Sequence, residues 1–222
     1  MSERTARVAL GGTSLELVPG KAVWWPGERT LLVADAHVGK AVSYRRLGVP
    51  VPEATTAGTL DALDALLARH DARRIVFLGD LLHSRHAHAA QTLVAFERWR
   101  TQRPALEMVL VRGNHDDRAG DPPCEWGVHC VDEPFGLASA PALALCHHPE
   151  PLPGRYVLAG HLHPCTTVGR GIDRLRLPCF HLNSRVGVLP AFGSFTGMHP
   201  IERADGDRVF VVADNAVHEW PP

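Results

Sequence analysis

The chain lacks any long apolar run. None of its 222 residues lies in a stretch that approaches the roughly 18 consecutive apolar residues a membrane helix needs. The N-terminus, MSERTARVAL, has neither a long apolar segment nor a small-residue cleavage site, so it does not resemble a secretion signal. We therefore expect a cytoplasmic protein that does not associate with a membrane.

Paired cysteines are also lacking. The chain has 5 cysteines, an odd number, and none of them form a CxxC pair. This argues against a disulfide framework and against a cysteine-based zinc or iron–sulfur site. We expect reduced, partly buried thiols.

Excess positive charge is the third absence. The chain has only two lysines, Lys21 and Lys40, and its formal net charge is −1. Proteins that hold a long stretch of nucleic acid are usually strongly basic. If nucleic acid is the substrate, contact should be local, and a metal should supply part of the positive charge. Histidine, by contrast, is abundant with 14 residues, and it is the commonest metal-ligand side chain.

The first half of the chain alternates strand-like and helix-like segments. Apolar runs predict buried strands at Thr30–Ala34, Arg74–Leu78 and Leu106–Val111. Between them, residues 55–70 and Ala89–Arg103 carry leucines and aromatic residues at helical spacing. Apolar strands that alternate with helices pair in parallel, so this half predicts an α/β core.

After residue 140 the pattern changes to short strands. The gaps between them are too short for crossover helices, so we expect mostly antiparallel pairing in this half. Together the halves predict an α/β fold of two packed mixed β-sheets flanked by helices, in a single domain over residues 1–222. The other predicted strands are Arg7–Leu10, Ser14–Val18, Ala142–Cys146, Tyr156–Ala159, Leu175–Phe180, Gly187–Ala191, Arg208–Val212 and Val217–Trp220.

Five groups of Asp, Asn and His residues each follow the end of an apolar strand. In α/β sheets the carboxyl ends of the strands are where ligands bind, and parallel strands would bring these groups together. Residues two apart on an extended segment point the same way, so paired ligands within a group could face one site. The groups are Asp35-Ala36-His37, Gly79-Asp80, Gly113-Asn114-His115-Asp116, His147-His148 and Gly160-His161-Leu162-His163.

The side chains in these groups offer nitrogen and oxygen ligands and no thiolate. Such a set suits Mn, Fe, Zn or Ni better than a soft metal. Seven candidate ligands are too many for one tetrahedral zinc ion and suit two ions that share a bridging carboxylate. The candidates are Asp35, His37, Asp80, Asn114, His147, His161 and His163.

The ordered motifs D-x-H, G-D, G-N-H-[DE], H and G-H-x-H resemble those of the calcineurin-like metallophosphoesterase superfamily. Further stretches are similar to the PdeM family of ligase-associated DNA damage response endonucleases, over about residues 24–212. The most specific are LAGHLHP and LPAFGSFTG. The remaining stretches are LLVADAHVGKAVSYRRLGVPVP, FLGDLLHS and VRGNHDD.

The resemblance implies a role for each candidate ligand. It assigns one divalent transition-metal ion to Asp35, His37 and His163, and a second to Asn114, His147 and His161. Asp80 would bridge the two ions. The family pattern places the ligand before a residue and a proline, which selects His147 over His148. Mn²⁺ is our first expectation for both ions, with Fe, Zn or Ni as alternatives.

The resemblance also implies a mechanism. A hydroxide that bridges the metals would attack phosphorus. His115 would act as the general acid, and Asp116 would orient it.

Four further residues are candidate substrate contacts. Lys40, Arg45 and Arg46 follow the first group closely and could contact flanking phosphates. His83, in Gly-Asp-Leu-Leu-His, could contact a phosphate or support a ligand. The alternative for the arginines is a solvated face, and for His83 a histidine satisfied within a loop.

The expected function is a metal-dependent DNA endonuclease that prefers single strands and acts in DNA repair. The resemblance implies association with a DNA ligase, a helicase and an exonuclease. The alternative, which the near-neutral charge slightly favours, is a phosphoesterase of small molecules such as cyclic or bis-nucleotides. An inactive scaffold is a third possibility, but a scaffold would be expected to have lost ligands or His115.

Overall fold

The computed structural model describes residues 3–46, 48–49, 55–84, 89–169, 171–194 and 196–221. For residues 43, 46, 55 and 172 it describes the backbone alone. Within these ranges no helix combines the length and the apolar character needed to cross a membrane.

The first sheet has seven strands in chain order. Its first four strands pair antiparallel, and from the fourth strand onward the pairing is parallel. The change follows from the connections, because the first strands are joined by short turns and the later ones by crossover helices. The strands are β1 (Ala6–Leu10), β2 (Thr13–Val18), β3 (Ala22–Trp25), β4 (Thr30–Val33), β5 (Arg74–Leu78), β6 (Glu107–Val111) and β7 (Val128–Val131).

The second sheet has eight strands, which all follow residue 140. Its main order is β13-β10-β11-β12-β9-β8, and β14 pairs with β11 and β15. The pairs β8–β9, β9–β12 and β10–β13 are parallel, and the remaining pairs are antiparallel. The strands are β8 (Leu143–Leu145), β9 (Tyr156–Ala159), β10 (Pro164–Val168), β11 (Leu175–Leu182), β12 (Val186–Val188), β13 (His199–Pro200), β14 (Arg208–Ala213) and β15 (Ala216–Trp220).

All four described α-helices belong to the crossovers of the first sheet. They are α1 (Lys40–Arg46) and α2 (Thr55–His70) between β4 and β5, α3 (Ala90–Thr101) between β5 and β6, and α4 (Asn114–Ala119) after β6. Leu63 of α2 and Phe96 of α3 are fully buried in the core cluster that covers one face of this sheet. Single turns of 3-10 helix occur at Pro26–Glu28, Cys124–Trp126 and Gly171–Asp173.

The central strands of the first sheet are buried on both faces. In β4, Leu31 packs in the core on the helix side, whereas Leu32 packs in the core between the two sheets. Strands β5 and β6 repeat this alternation, with Phe77 on the helix side and Val76 between the sheets. This period of two explains why these strands are continuous apolar runs. Burying each such side chain stabilises the fold by about 1.5–3 kcal/mol.

The predicted architecture of two packed mixed sheets flanked by helices is confirmed, and so is the parallel core. Four of the seven described strand pairs after residue 140 are antiparallel, which confirms the expectation of mostly antiparallel pairing, whereas β8–β9, β9–β12 and β10–β13 are parallel. Residues 146–155 cross over without a helix, so a short gap does not require antiparallel pairing. The single-domain boundary 1–222 stays a prediction. All five cysteines are free thiols, three of them buried, as expected.

Candidate metal centre

The five polar groups meet at one edge of the two packed sheets. Asp35, Asp80 and Asn114 follow β4, β5 and β6, at the carboxyl ends of parallel strands. His147 and His161 follow β8 and β9 of the second sheet. The backbone N–H of His161 donates to Oδ2 of Asp35 at 3.0 Å, which ties the two sheets together at this edge.

In three of the five groups the backbone is left-handed, which the extended geometry assumed from the sequence did not anticipate. L-residues adopt this conformation at a cost, so their surroundings must hold it in place. The N–H of His37 donates to the carbonyl of Asp80 at 2.9 Å, and the N–H of Asp35 donates to that of Gly79 at 3.2 Å. The positive φ values are 53° at Asp35, 46° at His37, 52° at Asp80, 69° at His161 and 49° at His163.

Asp35, His37 and His163 form the first group of converging donors, here called the Asp35 cluster. Nδ1 of His163 donates to the carbonyl of Gly197 at 3.1 Å, so Nε2 is the ring nitrogen available to a ligand. That Nε2 lies 3.3 Å from Oδ1 of Asp35 and 3.4 Å from Nε2 of His37. Oδ1 of Asp35 is buried and has no hydrogen-bond partner among the described residues.

Asn114, His147 and His161 form the second group, the His147 cluster. Nδ1 of His147 donates to the carbonyl of Leu78 at 3.1 Å, so Nε2 is the ring nitrogen available to a ligand. This Nε2 lies 3.0 Å from Oδ1 of Asn114 and 3.0 Å from Nδ1 of His161. It lies 3.6 Å from Oδ1 of Asp80.

Asp80 lies between the two clusters and faces both. Its Oδ2 is 3.9 Å from Nε2 of His37, on the Asp35 side, and its Oδ1 faces His147. Burial raises the pKa of Asp80, while the imidazole of His147 and the N–H of His115 act to lower it. Burial lowers the pKa of His37 and of His161, which favours neutral imidazoles with free lone pairs.

The donor set fits two divalent cations. Carboxylate oxygens and imidazole nitrogens at these distances repel each other through their lone pairs unless a proton or a cation lies between them, and a divalent cation can satisfy several of them at once. Asp35, His37 and His163 have ligand atoms close enough to share one ion, and so do Asp35, Asp80 and His147. Nitrogen and oxygen donors of this kind are typical of first-row transition metals.

Gly79 makes the close approach of His147 possible. It has φ +76°, which favours glycine, and a Cβ there would lie 2.1 Å from Nδ1 of the His147 ring. Gly79, the glycine of the Gly-Asp motif, thus leaves room for the His147 ring and also allows the turn that leads into Asp80.

His115 lies at the rim of the centre. Its Nδ1 donates to the carbonyl of His83 at 2.7 Å, and its ring stacks on that of His83 at 5.0 Å between centroids. Its Nε2 therefore points inward and lies 3.9 Å from Oδ2 of Asp80, while 31% of the side chain stays exposed. This places a titratable nitrogen beside both the centre and solvent.

Asp116 does not occupy the position expected of a partner for His115. Its carboxylate is buried and accepts the N–H groups of Asp80 at 2.7 Å, Gly113 at 3.0 Å and Leu82 at 3.1 Å. Burial raises its pKa to about 7, against the effect of these three hydrogen bonds. The expectation that Asp116 orients His115 is corrected, because the carbonyl of His83 does so and Asp116 fixes the loop of Asp80.

The structure places the four candidate substrate contacts differently. Lys40 is buried, with its Nζ 5.7 Å from the centroid of the Tyr44 ring, and burial lowers its pKa. His83 packs between Tyr44 and His115, and burial, with Lys40, lowers its pKa to about 4. Arg45 is half-buried on α1. The side chain of Arg46 lies outside the described residues.

His148 is held by Glu133, a residue that the motifs did not single out. Nδ1 of His148 lies 2.7 Å from Oε1 of Glu133. Oε2 of the same carboxylate accepts the N–H groups of His147 at 2.7 Å and His148 at 3.0 Å. His148 could still reach an ion bound by His147 and His161. No sequence spacing signals Glu133, because it lies in the loop between β7 and β8.

Comparison with known proteins agrees with this site. Residues 28–137 match the calcineurin-like phosphoesterase family. The crystal structure of the Pseudomonas putida nuclease MPE is similar, with 43% identity, a TM-score of 0.84 and coverage of 98% of this chain and 100% of that one. The E. coli phosphoesterase Yfce is 16% identical, with a TM-score of 0.39 and coverage of 83% and 88%, which is too weak to support an inference. No curated protein matches the chain.

The fold, the converging donors, the family match and the similarity to the nuclease MPE define a metal-dependent phosphoesterase, a hydrolase of phosphate esters. The chain belongs to the calcineurin-like phosphoesterase family. The family implies divalent metal ions, and the Asp and His side chains of the two clusters are their candidate ligands.

Proposed function

We propose that this protein is a phosphodiesterase that uses two divalent metals to cut DNA internally, with a preference for single strands. The observation that carries the proposal is the convergence of the Asp35 and His147 clusters on either side of Asp80. The similar structure of the Pseudomonas putida nuclease MPE supports nucleic acid as the substrate.

In this proposal the Asp35 and His147 clusters hold one ion each and Asp80 contacts both. When bound, two such ions supply an activated water as nucleophile and positive charge for the phosphate oxygens. The chain's own neutral imidazoles and buried carboxylates fix where those ions lie. We propose Mn²⁺ as the native metal. Elemental analysis of protein purified without added metal would test this, and a content of only Fe, Zn or Ni would contradict it.

We propose His115 as the general acid. Its Nδ1 donates to the carbonyl of His83, so Nε2 is the ring nitrogen from which a proton could be transferred. That atom faces the centre, where the oxygen of the leaving alkoxide would accept the proton. Asp116 acts on the loop of Asp80 and takes no proton in this scheme.

The four candidate substrate contacts would act in different ways, depending on how buried each side chain is. Lys40 would act through its charge, because its side chain is buried near the centre and interacts with Asp35 and Asp80. His83 would act through the His115 ring that it stacks on. Arg45 and Arg46 remain proposed contacts for flanking phosphates.

A closed circle of single-stranded DNA tests the function directly, because a circle has no ends and only an endonuclease can open it. Purified protein with Mn²⁺ should linearise the circle, and an Asp80→Ala variant should not. An intact circle, together with hydrolysis of an aryl phosphodiester, would favour the second candidate, a phosphodiesterase of small molecules. The net charge of −1 is the observation that favours that candidate.

Action in DNA repair beside a DNA ligase, a helicase and an exonuclease also remains a proposal, which derives from the family resemblance. We also propose a cytoplasmic location. Cofractionation of the four proteins from cells would test the association, and separate elution under low salt would contradict it.

A further inference from the structure

A cleft opens beside His163 of the Asp35 cluster. It encloses about 230 Å³, which is below the roughly 300 Å³ at which sites for whole drug-sized ligands begin. The rings of Pro164 and Pro178 and the exposed side chain of Met198 line it, with the hydroxyl-bearing Ser194 and Thr196. The cleft is therefore small, partly apolar and continuous with the centre.

Lys21 anchors the loop that forms one wall of this cleft. Its Nζ donates to the carbonyls of Ala191 at 2.8 Å, Phe192 at 2.7 Å and Gly193 at 3.4 Å. An ammonium group has three donors, so all of them are committed to the loop. Lys21 thus shapes the wall and has no N–H left to donate to a phosphate in the cleft.

The same loop is fixed to the Asp35 cluster. The N–H of Gly193 donates to the carbonyl of Asp35 at 3.1 Å, and the carbonyl of Gly197 accepts Nδ1 of His163 at 3.1 Å. A group held in the cleft would therefore have a defined position relative to a phosphate at the centre.

From this we propose that the cleft is a subsite for the nucleoside on one side of the scissile phosphate. Proline rings and a methionine provide apolar contact for a base. The hydroxyl of Ser194 can bond the polar edge of the base or the sugar, and that of Thr196, which donates to the carbonyl of Gly193 at 3.3 Å, can still accept a hydrogen bond. Lys21, Gly193 and Gly197 act as positioning residues that hold the wall. The proposal rests on the phosphodiesterase function above and goes beyond it by naming what binds beside the reacting group.

Three chromogenic diesters that share one leaving group can test the subsite. They are the p-nitrophenyl phosphodiesters of thymidine at its 5′ oxygen, of thymidine at its 3′ oxygen, and of methanol. With Mn²⁺ present, one thymidine ester should exceed the methyl ester in kcat/KM by about tenfold, mainly through a lower KM. Which thymidine ester is favoured would show whether the cleft receives the 5′ or the 3′ side.

Filling the cleft should remove this preference. Gly197 lines the cleft, and a Cβ there meets nothing within 4 Å, so Gly197→Leu adds a bulky side chain to the cleft wall without a clash. In this variant the advantage of the thymidine ester should fall to about twofold or less. Met198→Ala, which removes an exposed part of the wall, should reduce the advantage by a smaller factor. Gly58→Leu is the matched control, because it also meets nothing within 4 Å and lies on α2.

The possible outcomes separate the subsite from the function. Equal kcat/KM for all three esters in the parent protein, or an undiminished preference in folded Gly197→Leu and Met198→Ala, would overturn the subsite and leave the phosphodiesterase intact. Failure of the parent to hydrolyse any ester would instead overturn the proposed function. Thermal unfolding of each variant distinguishes a filled cleft from a chain that does not fold.

Discussion

The two donor clusters differ in charge although they share Asp80. The Asp35 cluster joins a carboxylate to two imidazoles, and one of its carboxylate oxygens lacks a partner among the described residues. The His147 cluster joins the neutral amide of Asn114 to two imidazoles. Since cation affinity rises with the charge of the ligands, we expect the Asp35 cluster to bind its ion more tightly. We therefore expect the Asp35 cluster to bind its ion before the His147 cluster does.

The surroundings of the clusters differ as well. His37 of the Asp35 cluster contacts the rings of His83 and His115, each at 5.2 Å between centroids. The His147 cluster is supported instead by Glu133 and His148. The proposed acid and the proposed nucleoside subsite both adjoin the Asp35 cluster, so we infer that this half governs substrate position. The chief role of the His147 cluster would then be to bind the second ion.

Replacing the Asp80 carboxylate should have the largest effect on metal binding and activity, because this carboxylate faces both clusters. Asp80→Asn should lower metal content on both sides and lower phosphodiesterase activity by roughly 10³-fold. Elemental analysis and steady-state kinetics would check this. Because burial raises the pKa of Asp80, the neutral asparagine should leave the metal-free fold intact. Two retained ions with full activity would contradict the bridging position.

Gly79→Ala should damage the His147 cluster selectively. The new Cβ would need to displace the His147 ring from its hydrogen bond to Leu78, and alanine at φ +76° costs about 1–2 kcal/mol by itself. We expect the loss of one ion per chain and a fall in activity of about 10²-fold. The check is metal content together with the thermal midpoint. Binding of two ions by the variant would contradict the close approach at Gly79.

Moving the negative charge from the Asp35 cluster to the His147 cluster should reverse the order in which the two clusters bind metal ions. Asp35→Asn should weaken the first binding step in a metal titration, and Asn114→Asp should strengthen the second, each by about tenfold to a hundredfold. Isothermal titration of chelator-treated protein would resolve the two steps. If neither substitution shifts either step, ligand charge does not distinguish the clusters.

The parallel core and the meeting of the polar groups were predictable from sequence because both follow from local patterns. Apolar runs such as Arg74–Leu78 can lie only in a sheet covered on both faces, and parallel strands bring their carboxyl ends together. The motifs likewise identified, from short stretches of sequence, which side chains provide nitrogen and oxygen donors. The positions of Asp35 and His115 at the centre therefore matched expectation.

What the sequence did not predict depends on contacts between distant segments. The left-handed turns at Asp35 and Asp80 are held by hydrogen bonds from neighbouring loops, which no local preference indicates. Likewise, Asp116 was expected beside His115 because the two are adjacent in the chain. In the structure its carboxylate lies against the Asp80 loop instead. Lys21 and Glu133 support the clusters from far away in sequence and belong to no motif.

Lys21→Met should weaken metal binding at the Asp35 cluster and leave metal binding at the His147 cluster unchanged. The substitution keeps most of the apolar stem but removes the donors that anchor residues 191–193, which in turn hold Asp35. We expect about tenfold weaker binding at the first step of the titration, as is typical for a residue that supports a ligand. Lys21→Arg, which restores the charge and donors, should recover part of the affinity. Weakening of the second step alone would contradict the assignment.

Glu133→Gln tests the His147 cluster in the same way and should have the smallest effect. A glutamine oxygen can still accept the N–H groups of His147 and His148, so we expect only a few-fold weaker second step. Burial acts to raise the pKa of Glu133, but the hydrogen bonds from His148 and His147 outweigh it and lower the pKa below the ordinary 4.5. The ionised carboxylate therefore contributes stability that is present above pH 4.5 and is lost as the pH falls through the lowered pKa. Unfolding of metal-free protein between about pH 3 and 6 should be less acid-sensitive in the variant than in the parent. Identical pH profiles would show that Glu133 does not stabilise the loop that carries His147.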